Sequence, residues 1–415
     1  MRFLISALGS YGDVHPMLGL GSALSQRGHQ VSVITNPHFQ PLVESVPLDF
    51  IPLGTAEQYD QLAHHPDLWN PLRGPKLVMR TAMADSLRDL YRIVHEQVVP
   101  GETVLVAHCL DLASRIHQEK YGTPMASVHF APVGLRSFYE SPQMYWMLMQ
   151  SWLPRWFRRF QYWLADKVVD QVVCPELNGL CGELGLPPVR RVMHQWYFSP
   201  QLVLGLFPEW FAPAQPDWPP HTQLTGFPLW DQSETVPLPQ ELEQFLQAGD
   251  PPLVFAPGSA MTKGAWFFQA AVEACEKLNR RGILLTKYPR QLPARLPSGV
   301  AHFEFVPFST LLPRSAALVH HGGIGTCSQG LAAGVPQVVM PMAYDQLDNA
   351  TRLTRLGVAT ILPKPRFTGI NLASALKSLL ENSTVRQHCF HWAQQFDTPF
   401  TMETTCRALE ELLPK

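Results

Sequence analysis

The N-terminal part of the chain alternates between short apolar runs and a segment with helical spacing. The apolar run RFLISAL at 2–8 precedes the loop-like GSYGDVHP, and a second apolar run, VSVIT, occupies 31–35. Between them, apolar residues recur three or four positions apart at Met17, Leu18, Leu20 and Leu24. This spacing predicts a helix that ends at Gly28. The segment is therefore expected to form a strand–helix–strand unit with parallel strands.

The same alternation returns through the rest of the chain. The apolar runs TVLVA at 103–107 and PMASVHF at 124–130 enclose a helix-like segment. PLVFAPGSA at 252–260 opens a second series of strand and helix patterns, which includes AALVH at 316–320. Strands that alternate with helices indicate parallel sheets. We therefore expect an α/β protein with two α/β halves, each with a glycine loop after a strand.

Residues 143–173 interrupt this alternation with aromatic and basic residues. The cluster contains Trp146, Trp152, Trp156, Trp163, Arg155, Arg158 and Arg159. Three interpretations are open: a helix pair that packs on the core, an apolar channel for an acyl chain, or a surface that contacts a membrane with its arginines at the headgroups. A proline-rich stretch follows, and the linker between the halves is expected near residues 230–250.

Composition narrows the function classes. A chain of 415 residues is too long for one ordinary core and suits two domains of about 200 residues each. Because the net charge is only −2, nothing points to nucleic acid as a partner. Seven cysteines without a CxxC pair favour a reducing cytosol over a disulfide framework or a zinc site. The N-terminal apolar run is too short for a signal peptide or a membrane span, so we expect a cytoplasmic protein, either free or peripheral to the inner membrane.

One segment combines a glycine run with polar residues in an order that suits a phosphorylated ligand. After the AALVH strand come His321, Gly322, Gly323 and Gly325, and Thr326 is expected to begin a helix. Glycines allow a close approach of the backbone to a ligand, and a helix N-terminus offers free N–H groups and partial positive charge. His321 can add a hydrogen bond or a positive charge to the same anion.

Two polar residues follow the next apolar run, VPQVVMP. These are Asp345 and Gln346, which are expected at the carboxyl end of a neighbouring strand. A carboxylate and an amide suit the hydroxyls of a sugar. The order of the parts therefore predicts a site for a diphosphate followed by a sugar, and the alternative is a glycine turn with unrelated polar neighbours.

These motifs resemble those of a known enzyme family. HHGGIGT…AGVPQ…P…DQ resembles the donor-binding signature of family 1 glycosyltransferases with the GT-B fold. GSYGDVHPMLGLGSAL…RGH resembles the matching N-terminal motif of their bacterial and sterol-type members. The resemblance covers nearly the whole chain. Segments such as FPEWFAP and TGFPLWD are closer still to the rhamnosyltransferases of rhamnolipid synthesis, which join dTDP-L-rhamnose to a hydroxyalkanoyloxy-alkanoic acid.

The resemblance implies two Rossmann-like domains that face an interdomain cleft. It places an acceptor-binding domain at 1–235, a nucleotide-sugar-binding domain at 236–395, and a C-terminal helix at 396–415 that crosses back to the first domain. It also implies an inverting hexosyltransferase whose partners are a dTDP- or UDP-sugar donor and a hydrophobic small-molecule or lipid acceptor.

Carried over by motif, the donor residues divide between the diphosphate and the sugar. His321 would contact the phosphates, and the backbone around Gly323, Gly325 and Thr326 would hold the diphosphate. Ser259, in the turn APGSA, is expected near the same phosphates. Asp345 and Gln346 would bind the sugar hydroxyls.

The resemblance implies that three further residues contact the nucleoside of the donor. Gln329 occupies the position at which many relatives carry a glutamate that binds the ribose hydroxyls, and an amide can still donate and accept hydrogen bonds. Val306 would contact the base through its backbone. Phe305 lies where plant relatives stack a tryptophan on uracil, and a phenylalanine can also stack.

Inverting transfer needs a base for the acceptor hydroxyl and a stabilised leaving diphosphate. Asp13 is the candidate base, in the expected loop after the first strand. Plant relatives place a histidine there and support it with an aspartate on a later strand. In this chain that later strand ends VLVAHCLD, so His108 is expected near the aspartate position, and the resemblance implies a swapped Asp13–His108 pair. The alternative for Asp13 is the N-cap of the helix that DVHPMLGL opens.

The chain contains no DxD triplet. We therefore expect no metal cofactor, with the helix terminus and His321 neutralising the leaving diphosphate. Three other functions are open: a nucleotide-sugar epimerase, a dinucleotide oxidoreductase, and a binding protein that has lost its chemistry. The oxidoreductase is disfavoured because no GxGxxG occurs. The acceptor is open between a hydroxy fatty acid dimer, a sterol-like lipid and an aromatic polyketide.

Overall fold

The computed structural model of the protein describes residues 1–233 and 238–413. These residues form two compact units. Unit 1 contains Met1–Pro228 and the described residues from Asp397 onwards, and unit 2 contains the described residues of Leu229–Phe396. The boundary expected at residues 235 and 236 lies outside the described residues, as do the last two residues of the segment expected at 396–415.

Unit 1 is built on a parallel sheet of seven strands in the order β3-β2-β1-β4-β5-β6-β7. The strands are β1 Arg2–Ser6, β2 Gln30–Thr35, β3 Asp49–Pro52, β4 Thr103–His108, β5 Met125–His129, β6 Leu202–Gly205 and β7 Thr222–Leu224. The helices are α1 Tyr11–Gln26, α2 Gln40–Glu44, α3 Ala56–Ala63, α4 Arg73–Val78, α5 Leu87–Gln97, α6 Leu112–Tyr121 and α7 Arg155–Glu183. Every residue of β4 and β5 is buried, as expected for parallel strands covered on both faces.

Unit 2 is built on a second parallel sheet, of six strands in the order β10-β9-β8-β11-β12-β13. The strands are β8 Leu253–Ala256, β9 Gly282–Leu285, β10 Val300–Phe303, β11 Ala317–His320, β12 Gln337–Val339 and β13 Ala359–Ile361. The helices are α8 Gln240–Gln247, α9 Ala265–Leu278, α10 Phe308–Leu311, α11 Ile324–Ala332, α12 Gln346–Arg355, α13 Gly369–Glu381 and α14 Ser383–Ala393, and α15 Thr398–Glu410 follows in unit 1.

Each sheet reverses its strand order at one point. In unit 1, β1 and β4 are neighbours, and the chain winds outward from them in opposite directions. In unit 2 the same holds for β8 and β11. Loops at the carboxyl ends of such neighbouring strands diverge to opposite faces and leave a crevice that binds ligands in open α/β sheets.

Three local expectations differ from the structure. Helix α1 begins at Tyr11, within the segment expected as a loop, because Ser10 and Asp13 form a capping box that starts the helix. The segment at 143–173 contains one long helix, α7, after irregular residues, and not a helix pair. Part of the linker expected near 230–250 is α8, whose Leu242 and Leu246 pack in the core of unit 2.

The C-terminal helix α15 is joined to the N-terminal segment of unit 1 by a charged cluster. Glu410 accepts hydrogen bonds from Arg27 Nε at 2.7 Å and Arg27 Nη2 at 2.8 Å, and it lies 2.8 Å from His29 Nε2. The Arg27 hydrogen bond, with a smaller contribution from His29, lowers the pKa of Glu410 to about 2. Glu410 therefore stays ionised at every pH near neutrality.

Candidate active site

The glycine segment of unit 2 leads into a helix whose N-terminus is open. Gly323 is the N-cap residue of α11 and provides no side-chain cap. Helix α11 begins at Ile324, two residues before the expected Thr326, so Gly325 lies in its first turn. Gly325 is exposed, and a Cβ built on it would meet nothing within 4 Å. The first turn of α11 therefore has no side-chain cap and has room beside Gly325 at the positive end of the helix dipole, as an anion site requires.

The His321 side chain lies against two glycines from different loops. A Cβ at Gly258, after β8, would lie 2.9 Å from Cε1 of His321, and a Cβ at Gly323 would lie 2.7 Å from Nε2. Gly258 also has a φ of +107°, which L-residues with side chains rarely adopt. Only glycine therefore fits at either position while the ring keeps its place. The two loops follow β8 and β11, the strands at which the sheet order reverses.

His321 is a neutral side chain at physiological pH. Burial lowers its pKa to about 4, against a smaller opposite effect of a hydrogen bond with the Ala256 backbone. Of the two roles expected for this residue, a hydrogen bond to the phosphates suits the neutral ring. The charge that faces an anion here comes from the α11 terminus.

His320 holds the glycine segment in place through a buried hydrogen bond. Its ring is fully buried, with Nε2 2.9 Å from Gln337 Oε1, and its Nδ1 accepts a hydrogen bond from the Gly322 N–H at 3.1 Å. Because Nδ1 accepts, the proton is on Nε2 and is donated to Gln337. Burial, helped by the nearby His321, lowers the pKa of His320 to about 3. His320 is thus a neutral structural residue.

Asn349 connects the glycine segment to Asp345. Its Nδ2 donates to the Gly322 carbonyl at 2.9 Å and to the Asp345 Oδ2 at 2.7 Å. Asn349 is fully buried, whereas Asp345 is partly exposed. The sequence interpretation did not include Asn349. Its position four residues after Asp345, one turn along α12, was the available signal.

Asp345 and Gln346 do not have equivalent positions. Gln346 is 3% exposed, and its Oε1 accepts hydrogen bonds from the backbone N–H groups of Met342 at 2.8 Å and Ala343 at 3.1 Å. Its side-chain oxygen therefore holds the loop before α12, and only the amide nitrogen could serve a ligand. Both side chains were expected to bind the sugar hydroxyls. Asp345 can do so with its carboxylate, whereas Gln346 can contribute only its side-chain NH2 group.

The remaining predicted donor residues lie at the same carboxyl edge of the sheet. Ser259 is exposed in the turn after β8. After β10, Phe305 is 43% exposed while Val306 is 3% exposed and packs in the core, so Val306 can offer a ligand only its backbone. Gln329 lies in α11 and is 8% exposed. Thr326 is in the second half of the first turn of α11 and is partly exposed.

In unit 1 the structure brings Asp13 and His108 together. Asp13 Oδ1 lies 3.5 Å from His108 Nε2, although 95 residues separate the two in sequence. The other carboxylate oxygen accepts hydrogen bonds from the Ser10 N–H at 2.7 Å and the Ser10 hydroxyl at 3.1 Å. Asp13 is therefore the third residue of α1 and a capping-box acceptor, not the N-cap. Its side chain is 33% exposed, which leaves it reachable by a substrate.

The protonation of His108 makes it the supporting member of the pair. Nδ1 accepts a hydrogen bond from the Leu110 N–H at 3.2 Å, so the neutral ring carries its proton on Nε2, facing Asp13. Burial acts to lower the pKa of His108, but the neighbouring Cys109 and Asp13 outweigh it and raise the pKa to about 10. In either charge state Nε2 presents a proton to the carboxylate. The arrangement orients Asp13 as a proton acceptor and leaves His108 Nε2 unable to act as one.

Over residues 1–233 and 238–413, no group of three or more His, Cys, Asp or Glu side chains is arranged to hold a metal ion. Within the same part of the chain, none of the helices is sufficiently long and apolar to traverse a bilayer.

Family models match a segment in each half of the chain. The Glycosyltransferase family 28 N-terminal domain matches residues 3–139, and the Erythromycin biosynthesis protein CIII-like, C-terminal domain matches residues 281–411. The chain is 28% identical to the O-mycaminosyltylonolide 6-deoxyallosyltransferase of Streptomyces fradiae, over 99% of this chain and 97% of that protein.

Solved structures show the same fold over the whole chain. The glycosyltransferase of kitacinnamycin matches with a TM-score of 0.76 and 20% identity, over 100% of this chain and 99% of that one. The spinosyn rhamnosyltransferase SpnG complexed with thymidine diphosphate matches with a TM-score of 0.68 and 17% identity, over 98% and 100%. The chain is a glycosyltransferase of the GT-B fold.

This glycosyltransferase is an enzyme of the hexosyltransferase class. The two regions that match family models contain nearly all of the candidate site residues. Asp13 and His108 lie within the first region, and the segment from Phe305 to Asn349 lies within the second. Ser259 lies outside both. The Asp13–His108 pair and the α11 site thus each fall in a region that is matched independently.

Proposed function

We propose that this glycosyltransferase moves a hexosyl group, rhamnose or glucose, from a dTDP- or UDP-sugar to a hydroxyl of a hydrophobic acceptor, with inversion at the sugar carbon. One observation supports the proposal that the donor is a sugar nucleotide. The open N-terminus of α11 is joined through Gly322 and Asn349 to the partly exposed carboxylate of Asp345. Backbone N–H groups that suit a diphosphate are thus followed by a carboxylate that suits hydroxyls, in the order of the parts of a sugar nucleotide.

The preferred donor is a thymidine diphosphate sugar with a 6-deoxyhexose. The relative from Streptomyces fradiae is named as a 6-deoxyallosyltransferase, and the spinosyn rhamnosyltransferase was solved with thymidine diphosphate. L-Rhamnose fits both the deoxyhexose class and the resemblance of the FPEWFAP and TGFPLWD segments. In this proposal Phe305, which is 43% exposed, stacks on the base, and Gln329 binds the ribose.

The proposed chemistry is a single displacement. Asp13 accepts the proton of the acceptor hydroxyl while the acceptor oxygen attacks the anomeric carbon. The bond from that carbon to the donor diphosphate breaks, and the nucleoside diphosphate leaves with the bonding electron pair. The α11 N-terminus and a hydrogen bond from neutral His321 stabilise the leaving group, so we propose that the reaction requires no metal ion.

The proposed acceptor is a hydroxyalkanoyloxy-alkanoic acid, which would make the product a rhamnolipid. The alternative is glucosyl transfer to an aromatic, polyketide or sterol-like acceptor, since the Streptomyces fradiae relative is named for a different acceptor, O-mycaminosyltylonolide. Remoter alternatives are an epimerase and an inactive sugar-nucleotide-binding protein. We also propose a cytoplasmic location, because all seven cysteines lie in the described residues and are free thiols.

The test is transfer across a panel of donors and acceptors. The purified protein is incubated with dTDP-rhamnose, dTDP-glucose, UDP-glucose or UDP-N-acetylglucosamine, with a hydroxyalkanoyloxy-alkanoic acid or a phenol, in the presence and absence of EDTA. Rhamnose transfer to the lipid acid, unaffected by EDTA, is expected. Glucose transfer to the phenol alone would replace the rhamnolipid proposal by the second candidate. Donor binding without any transfer would favour the inactive binding protein.

A further inference from the structure

Unit 1 carries a large apolar surface on the first half of α7 and the residues just before it. The surface, called here the α7 aromatic surface, consists of Trp152, Trp156, Phe160, Trp163 and Leu164. Their exposed fractions are 78%, 71%, 48%, 42% and 44%, respectively. Single exposed apolar residues are common on proteins, but a contiguous set of large aromatic side chains marks an interaction site.

The helical positions of these residues place them on one face. Trp156, Phe160, Trp163 and Leu164 are spaced by three or four residues, so they line one side of α7. The core of unit 1 is packed by other positions of the same helix, namely Tyr162, Ala165, Val169 and Val173, which are buried. Helix α7 therefore has two apolar faces, and only one of them is used by the fold.

The loop before α7 extends the surface. Gln161 of α7 holds this loop through a pair of hydrogen bonds, because its Oε1 accepts from the Leu148 N–H at 2.7 Å and its Nε2 donates to the Leu148 carbonyl at 2.8 Å. Met147 and Met149 point inward and are buried with Tyr162. The alternate residues Trp146 and Leu148 are 41% and 58% exposed, so they add to the outer surface.

The exposed charged side chains that residues 141–168 contribute beside the α7 aromatic surface are of one sign. Arg155, Arg159 and Lys167 are exposed beside the aromatic residues, and the Lys167 Nζ lies 5.5 Å from the centroid of the Trp163 ring. The only acidic residue in the sequence between 141 and 168 is Asp166. Its side chain is 1% exposed and pairs with Arg136 and Arg191 on the inner side. The outer surface therefore presents cations without a compensating carboxylate from this segment.

We propose that the α7 aromatic surface docks the enzyme on an anionic phospholipid membrane. Tryptophan and phenylalanine enter the boundary between headgroups and acyl chains, and flanking arginine and lysine attract anionic headgroups. A second copy of the chain is a poorer partner, because a symmetric contact would collect Arg155, Arg159 and Lys167 of both copies in one interface without a carboxylate from residues 141–168. The proposal holds for any donor and acceptor, since it depends on no residue of the proposed active site.

The test is flotation of the purified full chain with vesicles. One set contains phosphatidylethanolamine and phosphatidylglycerol, and the other contains only phosphatidylcholine. The wild type is expected to float with the anionic vesicles and to be released as salt is raised. The double variant Trp152→Ser/Trp156→Ser should bind these vesicles about tenfold more weakly or worse. The matched control is Phe390→Ser/Phe400→Ser, which removes two aromatic residues that are each 66% exposed elsewhere.

Two further measurements make the result decisive. The triple variant Arg155→Gln/Arg159→Gln/Lys167→Gln should show a weaker salt dependence, and donor affinity by calorimetry should be unchanged in every variant. Absence of flotation by the wild type, or equal flotation of the tryptophan variant and the control, would overturn the proposal. Light scattering that shows a dimer abolished by Trp152→Ser/Trp156→Ser, with no vesicle binding, would overturn it in favour of self-association.

Discussion

His108 Nε2 lies 3.5 Å from Asp13 Oδ1, and the proton on that nitrogen faces the carboxylate. The two residues follow β1 and end β4, the neighbouring strands at which the sheet of unit 1 reverses its order. The same topology in unit 2 brings Gly258 against His321. Both units therefore place their candidate chemistry at the reversal of a parallel sheet.

Replacement of Asp13 by Asn should stop transfer without weakening donor binding. The amide keeps the shape of the carboxylate and can still accept from the Ser10 N–H, but it cannot take the acceptor proton. We expect kcat to fall by about 10² to 10⁴. Transfer rates and donor calorimetry measure the two effects separately. Asp49→Asn, an exposed carboxylate of the same unit, is the control and should retain full activity. Undiminished transfer by Asp13→Asn would remove Asp13 from the base role.

Replacement of Asn349 by Ala should weaken donor binding through the loss of two hydrogen bonds. The buried Gly322 carbonyl and the Asp345 carboxylate would each lose a donor. One unmade hydrogen bond at a buried group costs about 1–3 kcal/mol of stability, so we expect a lower thermal midpoint, and the loss of support for Asp345 should also raise the donor Kd. Asn371→Ala, which removes a more exposed amide of unit 2, should leave the Kd unchanged. A variant of Asn349 with wild-type donor affinity would show that Asp345 needs no such support.

Two glycine substitutions in the same loop should have different effects. Gly323→Ala places a Cβ 2.7 Å from His321 Nε2, so it should lower both the thermal midpoint and the donor affinity. Gly325→Ala meets nothing within 4 Å, so the fold should tolerate it. If a diphosphate lies against the first turn of α11, Gly325→Ala should still weaken the donor. A Gly325→Ala protein with normal stability and normal donor affinity would argue against a phosphate at this position.

The stability of the enzyme should depend on pH through His320. Burial lowers the pKa of His320 to about 3, whereas an unfolded histidine titrates near its ordinary value. Between these values the unfolded state binds a proton that the folded state does not, so stability falls as the pH falls from about 6.5 towards 3. His320→Gln should therefore reduce the difference between the thermal midpoints at pH 7 and pH 5. His391→Gln, an exposed histidine of unit 2, should keep the wild-type difference.

Local patterns in the sequence were sufficient to predict most strands and helices and the glycine loop before α11. Parallel strands covered on both faces need continuous apolar runs, and RFLISAL, TVLVA and AALVH are such runs. The expected start of α1 was wrong because glycine and proline in GSYGDVHP suggested a loop. The Ser10-x-x-Asp13 capping box, which starts the helix at Tyr11, is itself a local signal in the sequence.

The chain sequence by itself determined the α/β class, the glycine loop before α11 and the polar residues Asp13 and Asp345. Each depends on the period of apolar positions or on the chemistry of a short segment, and such properties are local. Only the tertiary structure decided that Asn349 joins Asp345 to Gly322, that Gln346 uses its oxygen within its own loop, and that His321 is neutral. These depend on which side chains are buried together, because burial sets both the available hydrogen-bond partners and the charge that a group can hold.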